Sequence, residues 1–120
     1  MFATLTAAGA LVPCPAAVKE FVEPAAVHAA SSVESVLLTL PAKLATAAVE
    51  SSFISTGIAP QEGKPPIVVL HSFDSSCLEW RRVLPRLQGY GLEAYCVDIL
   101  GWGFTDTRNV RSVNVEAKRE

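Results

Sequence analysis

Two short stretches hold the residue types that chemistry uses. His71-Ser72-Phe73 follows one aliphatic run, and Asp98-Ile99-Leu100-Gly101-Trp102-Gly103-Phe104-Thr105-Asp106 closes a second. Histidine and carboxylates move protons, serine and cysteine attack carbonyls, and spaced glycines let a backbone turn or approach a ligand closely. Each also has a plainer use. Ser75 and Ser76 stand where a helix needs a cap, and Cys77 with His71 could form a thiolate pair, a reading that nearness in sequence alone hardly supports. Gly101-Trp102-Gly103 lacks the third glycine and the long helix pattern of a dinucleotide loop. His28 stands alone.

The elements that must position these residues span Pro65 to Asp106. Ile67-Val68-Val69-Leu70 is a continuous, largely β-branched run, the pattern of a strand buried on both faces. Asp74, Ser75 and Ser76 form a polar turn, and Ser76 with Glu79 has the spacing of a capping box. Trp80, Val83, Leu84 and Leu87 fall on one helical face, with Pro85 set to kink or shorten the helix and Gly89 and Gly91 to stop it. Tyr95, Val97 and Ile99 then alternate with Ala94, Cys96 and Asp98, which predicts a second strand. Strand, helix and strand make one right-handed βαβ unit. Its chemistry should lie at the carboxyl ends of the strands, where both unusual stretches begin.

The preceding chain carries packing signals. Residues 1–30 are rich in Ala, Val and Pro with no acid before Glu20, a composition compatible with a flexible extension or a transit segment. Residues 31–50 are expected to be helical: Ser31 and Glu34 have capping-box spacing, and Val33, Val36, Leu37 and Leu40 recur at helical intervals up to Pro41. Residues 51–64 form a linker rich in turn formers, in which Phe53-Ile54-Ser55 could be a short strand. Residues 65–120 hold the α/β unit, with Asn114–Glu120 expected to begin another helix.

Composition sets outer bounds. The chain has 120 residues, half of them hydrophobic, and a net charge of −2, so it is neither a disordered tail nor a basic nucleic-acid binder. Cys14, Cys77 and Cys96 fit no zinc spacing and cannot all pair with one another. No apolar run reaches the length of a membrane span.

Taken together and in order, His71-Ser72-Phe73 and Asp98-x-x-Gly101-x-Gly103-x-Thr105-Asp106 across a βαβ unit resemble the α/β-hydrolase fold family, its plant plastid-type members above all. The family pattern is His-Gly-aromatic after one strand and Asp-x-x-Gly-x-Gly-x-Ser-Asp after the next. This chain differs in having Ser72 for the glycine and Thr105 for the serine. A side chain at Ser72 suits the loop only where φ is negative.

The resemblance implies an incomplete α/β-hydrolase fold, one βαβ unit of a parallel sheet preceded by N-terminal helices. It implies that the backbone N–H of Phe73 is an oxyanion-hole donor. His71, Ser72, Asp98, Gly101 and Gly103 would support the site. The family's nucleophile sits in a Gly-x-Ser-x-Gly elbow on a later strand, followed by an acid and a histidine. No such elbow occurs in these residues, so no catalytic residue is assigned, His71 included, and the chain alone is expected to be inactive. The parent of such a truncated hydrolase would cleave small ester-like substrates without metal or organic cofactor. The alternative is a non-catalytic hydrolase-like interaction module. Nucleic acid and a membrane span are not expected, a partner covering the open sheet edge is, and the implied location is the chloroplast or otherwise the cytoplasm.

Overall fold

The computed structural model describes residues 10–11 and 20–111. Its centre is a five-stranded mixed sheet of order β1-β2-β3-β5-β4, formed by Ala10–Leu11 (β1), Glu34–Leu38 (β2), Val49–Ser55 (β3), Ile67–Leu70 (β4) and Ala94–Val97 (β5). β4 and β5 run parallel with Val69 opposite Cys96, and the other neighbours are antiparallel. The α/β class expected from the sequence is therefore present, and its one parallel pair is the strand pair of the βαβ unit. The sheet as a whole is mixed, because β2 and β3 form a hairpin-like pair that joins β5 antiparallel.

One face of the sheet is covered. Ile54, Cys96 and Val69 face Ala29 and Ala30 of the helix Pro24–Ala30 (α1), Cys77 and Leu78 of a 3₁₀ turn over Cys77–Trp80, and Leu84 of the helix Leu84–Gly89 (α2). Pro85 divides the apolar stripe that begins at Trp80. A 3₁₀ turn precedes it, and the proline takes up its favoured place in the first turn of α2. Gly91, at φ +67°, lets α2 end in a Schellman pair, Gly91 N–H to Gln88 O at 2.9 Å and Leu92 N–H to Leu87 O at 3.1 Å. The other face is open. Val36, Leu38, Phe53, Val68, Tyr95 and Val97 line an apolar groove of about 480 Å³ there.

Three expectations are corrected. Residues 31–50 are not helical: Ser31 and Ser32 end α1, their hydroxyls donating to His28 O, and Glu34–Leu38 is a strand. Val33, Val36, Leu37 and Leu40 fit helical spacing, but Val36 and Leu38 also alternate, and five ladder pairs with β3 decide the outcome. Leu44 and Ala45 turn back on Pro41 through hydrogen bonds of 2.8 and 3.2 Å, a single turn rather than a helix. The linker expected at 51–64 begins only after Ser55, since Phe53-Ile54-Ser55 is the end of β3. β4 is not buried on both faces: it is the edge strand, and Val68 and Leu70 are exposed.

Part of the supposed extension is built in. Ala26, Ala29 and Ala30 are buried, and Glu23 at the start of α1 receives Arg81 at 2.6 Å and Arg82 at 2.8 Å. These guanidiniums hold the Glu23 carboxyl below the usual range. The remaining expectations for residues 1–9 and 12–19, and the helix expected at 114–120, lie outside the described residues.

Candidate active site

The two stretches singled out at the start meet at the carboxyl ends of β4 and β5. The β4–α2 loop leaves the sheet at His71, and the Asp98–Asp106 loop leaves it one strand away. Side-chain hydrogen bonds join the two loops and brace them.

His71 is buried and uses both ring nitrogens. Nε2 accepts the Ile99 N–H at 3.0 Å, and Nδ1 is 2.8 Å from Ser72 O. An amide can only donate and a carbonyl can only accept, so the ring is neutral with its proton on Nδ1. The Nε2 lone pair that a general base needs is already committed. In this arrangement His71 braces the loop rather than presenting a free base.

Asp98 is the second anchor. Its carboxylate accepts the Cys77 N–H at 2.6 Å and the Phe104 N–H at 2.7 Å, so one buried side chain ties the 3₁₀ turn after β4 to the glycine loop after β5. Burial pushes its acidity weaker than an ordinary aspartate's, while the two amides pull the other way. Gly103 makes this possible. It lies at φ +60°, and a Cβ on it would be 2.3 Å from the Asp98 carboxylate. Gly101 also has positive φ, +84°.

Ser72 and Glu79 form the third contact. The Ser72 N–H and its hydroxyl both donate to Glu79 Oε2, at 2.7 and 2.8 Å. These two bonds, with the Ser75 hydroxyl, hold the Glu79 carboxyl below its usual range. Ser72 is not among the positive-φ residues, whereas Asp74 is, at φ 56°. Serine in place of the family's glycine is therefore accommodated by the backbone here. The capping box expected at Ser76 and Glu79 is half present: Ser76 Oγ accepts from Leu78 N–H at 3.3 Å, but Glu79 turns to Ser72.

Phe73 stands at the crest of the loop. Its ring is exposed and packs on Trp102 with centroids 4.9 Å apart at 59°. Among the described residues no acceptor is hydrogen-bonded to the Phe73 N–H. Cys77 and Cys96 are fully buried below the loops. Burial pushes Cys96 up to about 11, and burial with the Asp98 charge pushes Cys77 up as well. Burial of the Cys77 thiol and the commitment of both His71 ring nitrogens argue against a Cys77–His71 thiolate pair. Among the described residues, no group of three or more His, Cys, Asp or Glu could hold a metal ion. No helix among them is long and apolar enough to cross a membrane.

Sequence reasoning placed His71, Ser72, Phe73, Asp98, Gly101 and Gly103 at one end of the sheet, and the structure brings them together there. It missed Glu79 as a loop anchor, the Phe73–Trp102 contact, and the Cys77 and Ile99 amides as partners of Asp98 and His71. Backbone donors leave no mark in side-chain identity, and Glu79 was hidden by a spacing that also suits a cap.

A parallel strand pair with an anchored histidine–aromatic loop after one strand and an Asp-x-x-Gly-x-Gly loop after the other defines the class: the chain belongs to the α/β-hydrolase fold family. It is similar to the alpha/beta hydrolase domain-containing protein VTE7 of Arabidopsis thaliana, 40% identical over 86 residues. That match covers 69% of this chain and 26% of the relative, so the chain spans about a quarter of the curated relative's length. No family model and no solved structure matches it.

Proposed function

We propose that these residues supply the oxyanion side of a serine-type hydrolase site, with the Phe73 N–H as one donor toward a developing tetrahedral oxyanion. The observation that carries this reading is an amide with no hydrogen-bonded acceptor among the described residues, on a loop held by three side chains, His71, Glu79 and Asp98. A donor fixed before the reaction costs no reorganisation when charge develops, and one such donor is worth about 10²–10³ in kcat. The substrate class is a small ester or a related acyl compound, attacked by a nucleophile from outside these residues, since no Gly-x-Ser-x-Gly elbow lies within them. The 120 residues alone are inactive on this reading, because a donor without a nucleophile cannot run covalent acyl transfer.

A fluorophosphonate probe tests it. The complete natural polypeptide should label stoichiometrically at one serine, and residues 1–120 alone should not label. Labelling of the 120-residue chain that a single Ser→Ala change abolishes would overturn the half-site reading. No labelling of either would favour a non-catalytic interaction module.

A further inference from the structure

We propose that Glu79 and His71 together lock the two peptide planes on either side of Ser72 and so set the direction of the Phe73 N–H. This rests on the reading of Phe73 as an oxyanion donor and adds the residues that aim it. Neither touches substrate; both are positioning residues.

The geometry is a chain of constraints. The His71–Ser72 peptide is held at its N–H, which donates to Glu79 Oε2 at 2.7 Å. The Ser72–Phe73 peptide is held at its carbonyl, which accepts from His71 Nδ1 at 2.8 Å. That peptide is trans and planar, so its N–H points opposite to its C=O. Fixing the Ser72 carbonyl therefore fixes the Phe73 N–H, directed away from the imidazole. The imidazole is itself held at Nε2 by the Ile99 N–H at 3.0 Å. The hydrogen bond accepted by the Ser72 carbonyl also polarises the peptide, which strengthens the N–H as a donor.

Glu79 explains why serine is accepted at this position. The carboxylate oxygen that takes the Ser72 N–H also takes the Ser72 hydroxyl, at 2.8 Å. The added side chain is thus satisfied by the group that pins the backbone. A glycine there would keep the backbone bond and lose only the hydroxyl's.

Residue-resolved amide hydrogen exchange on the complete natural polypeptide tests the lock, with ester turnover as a second readout. In Glu79→Ala the Ser72 amide should exchange on the order of tenfold faster or more, the worth of one charge-assisted bond, while the β5 amides keep their rates. Turnover of a short-chain aryl ester should lose a similar factor in kcat with KM little changed. Glu79→Gln, which retains an acceptor, should fall between wild type and Glu79→Ala in both readouts. His71→Phe, which keeps an aromatic ring but removes both nitrogen bonds, should release the Ile99 amide. An unchanged Ser72 amide in Glu79→Ala overturns the lock. So does equal acceleration at β5, which would make Glu79 a general stability residue. Absence of ester turnover in the wild-type polypeptide overturns the hydrolase reading instead, and the exchange rates still decide the lock.

Discussion

Gly103→Ala isolates the close approach on which both loops depend. An alanine Cβ at this position would lie 2.3 Å from the Asp98 carboxylate, whereas ordinary contact begins near 3.4 Å, so the carboxylate must withdraw by 3.4 − 2.3 = 1.1 Å. A shift of that size carries the 2.7 Å bond from Phe104 past hydrogen-bonding range. Losing one charge-assisted bond costs about 1.5–3 kcal/mol. Alanine at φ +60° adds strain of about 1–2 kcal/mol. The sum, about 2.5–5 kcal/mol, is a large part of the roughly 5–15 kcal/mol that holds an ordinary domain. It corresponds to a drop in Tm on the order of 10–20 °C. Gly91→Ala is the control. Gly91 has φ +67° and nothing within 4 Å of where a Cβ would stand, leaving the strain alone at about 1–2 kcal/mol. Urea unfolding of both variants in one background measures the difference. Equal losses, within about 0.5 kcal/mol, would refute the claim that Gly103 is required by the carboxylate.

Three further outcomes follow from the core and its rim. Ile54→Ala, at a fully buried position beneath both helices, should cost about 2–5 kcal/mol by chemical denaturation. With Cys14 replaced by serine, native Cys77 and Cys96 should resist iodoacetamide under mildly alkaline conditions and react once unfolded, since burial raises both thiols; rapid native alkylation would contradict it. The Arg108 guanidinium lowers Asp106 from 3.8 to about 2. A carboxylate whose folded value is depressed stabilises above its ordinary range, and that stability is lost as pH falls through the folded value. Asp106→Asn should therefore flatten the stability profile between pH 3.8 and about 2, and an unchanged slope there would count against the pairing.

How much of this was legible depended on where the deciding force lay. β5 was legible because Tyr95 and Val97 alternate with Ala94 and Cys96, and the two faces do meet different surroundings. β4 was legible as a strand but not in its burial, since exposure of Val68 and Leu70 depends on which strand adjoins it. β2 was misread because Val33, Val36, Leu37 and Leu40 suit a helix locally, while pairing of Ser35 with Ser52 and Val36 with Ser51 is a long-range fact. At the site, Asp98 and Gly103 were visible as a pair of unusual residues, yet their mutual dependence appears only when a Cβ is placed on Gly103. Ser72 looked like a defect by residue type, and its negative φ and its bond to Glu79 remove the difficulty.

The central claim is that the Phe73 N–H serves an oxyanion, and replacing that one N–H tests it most directly. Semisynthesis can install the α-hydroxy analogue of phenylalanine at position 73 of the complete polypeptide, exchanging the amide for an ester and removing the donor while keeping the ring on Trp102. The account predicts that kcat for an aryl ester falls by about 10²–10³ with little change in KM. An unchanged kcat in a folded, probe-reactive protein would contradict it.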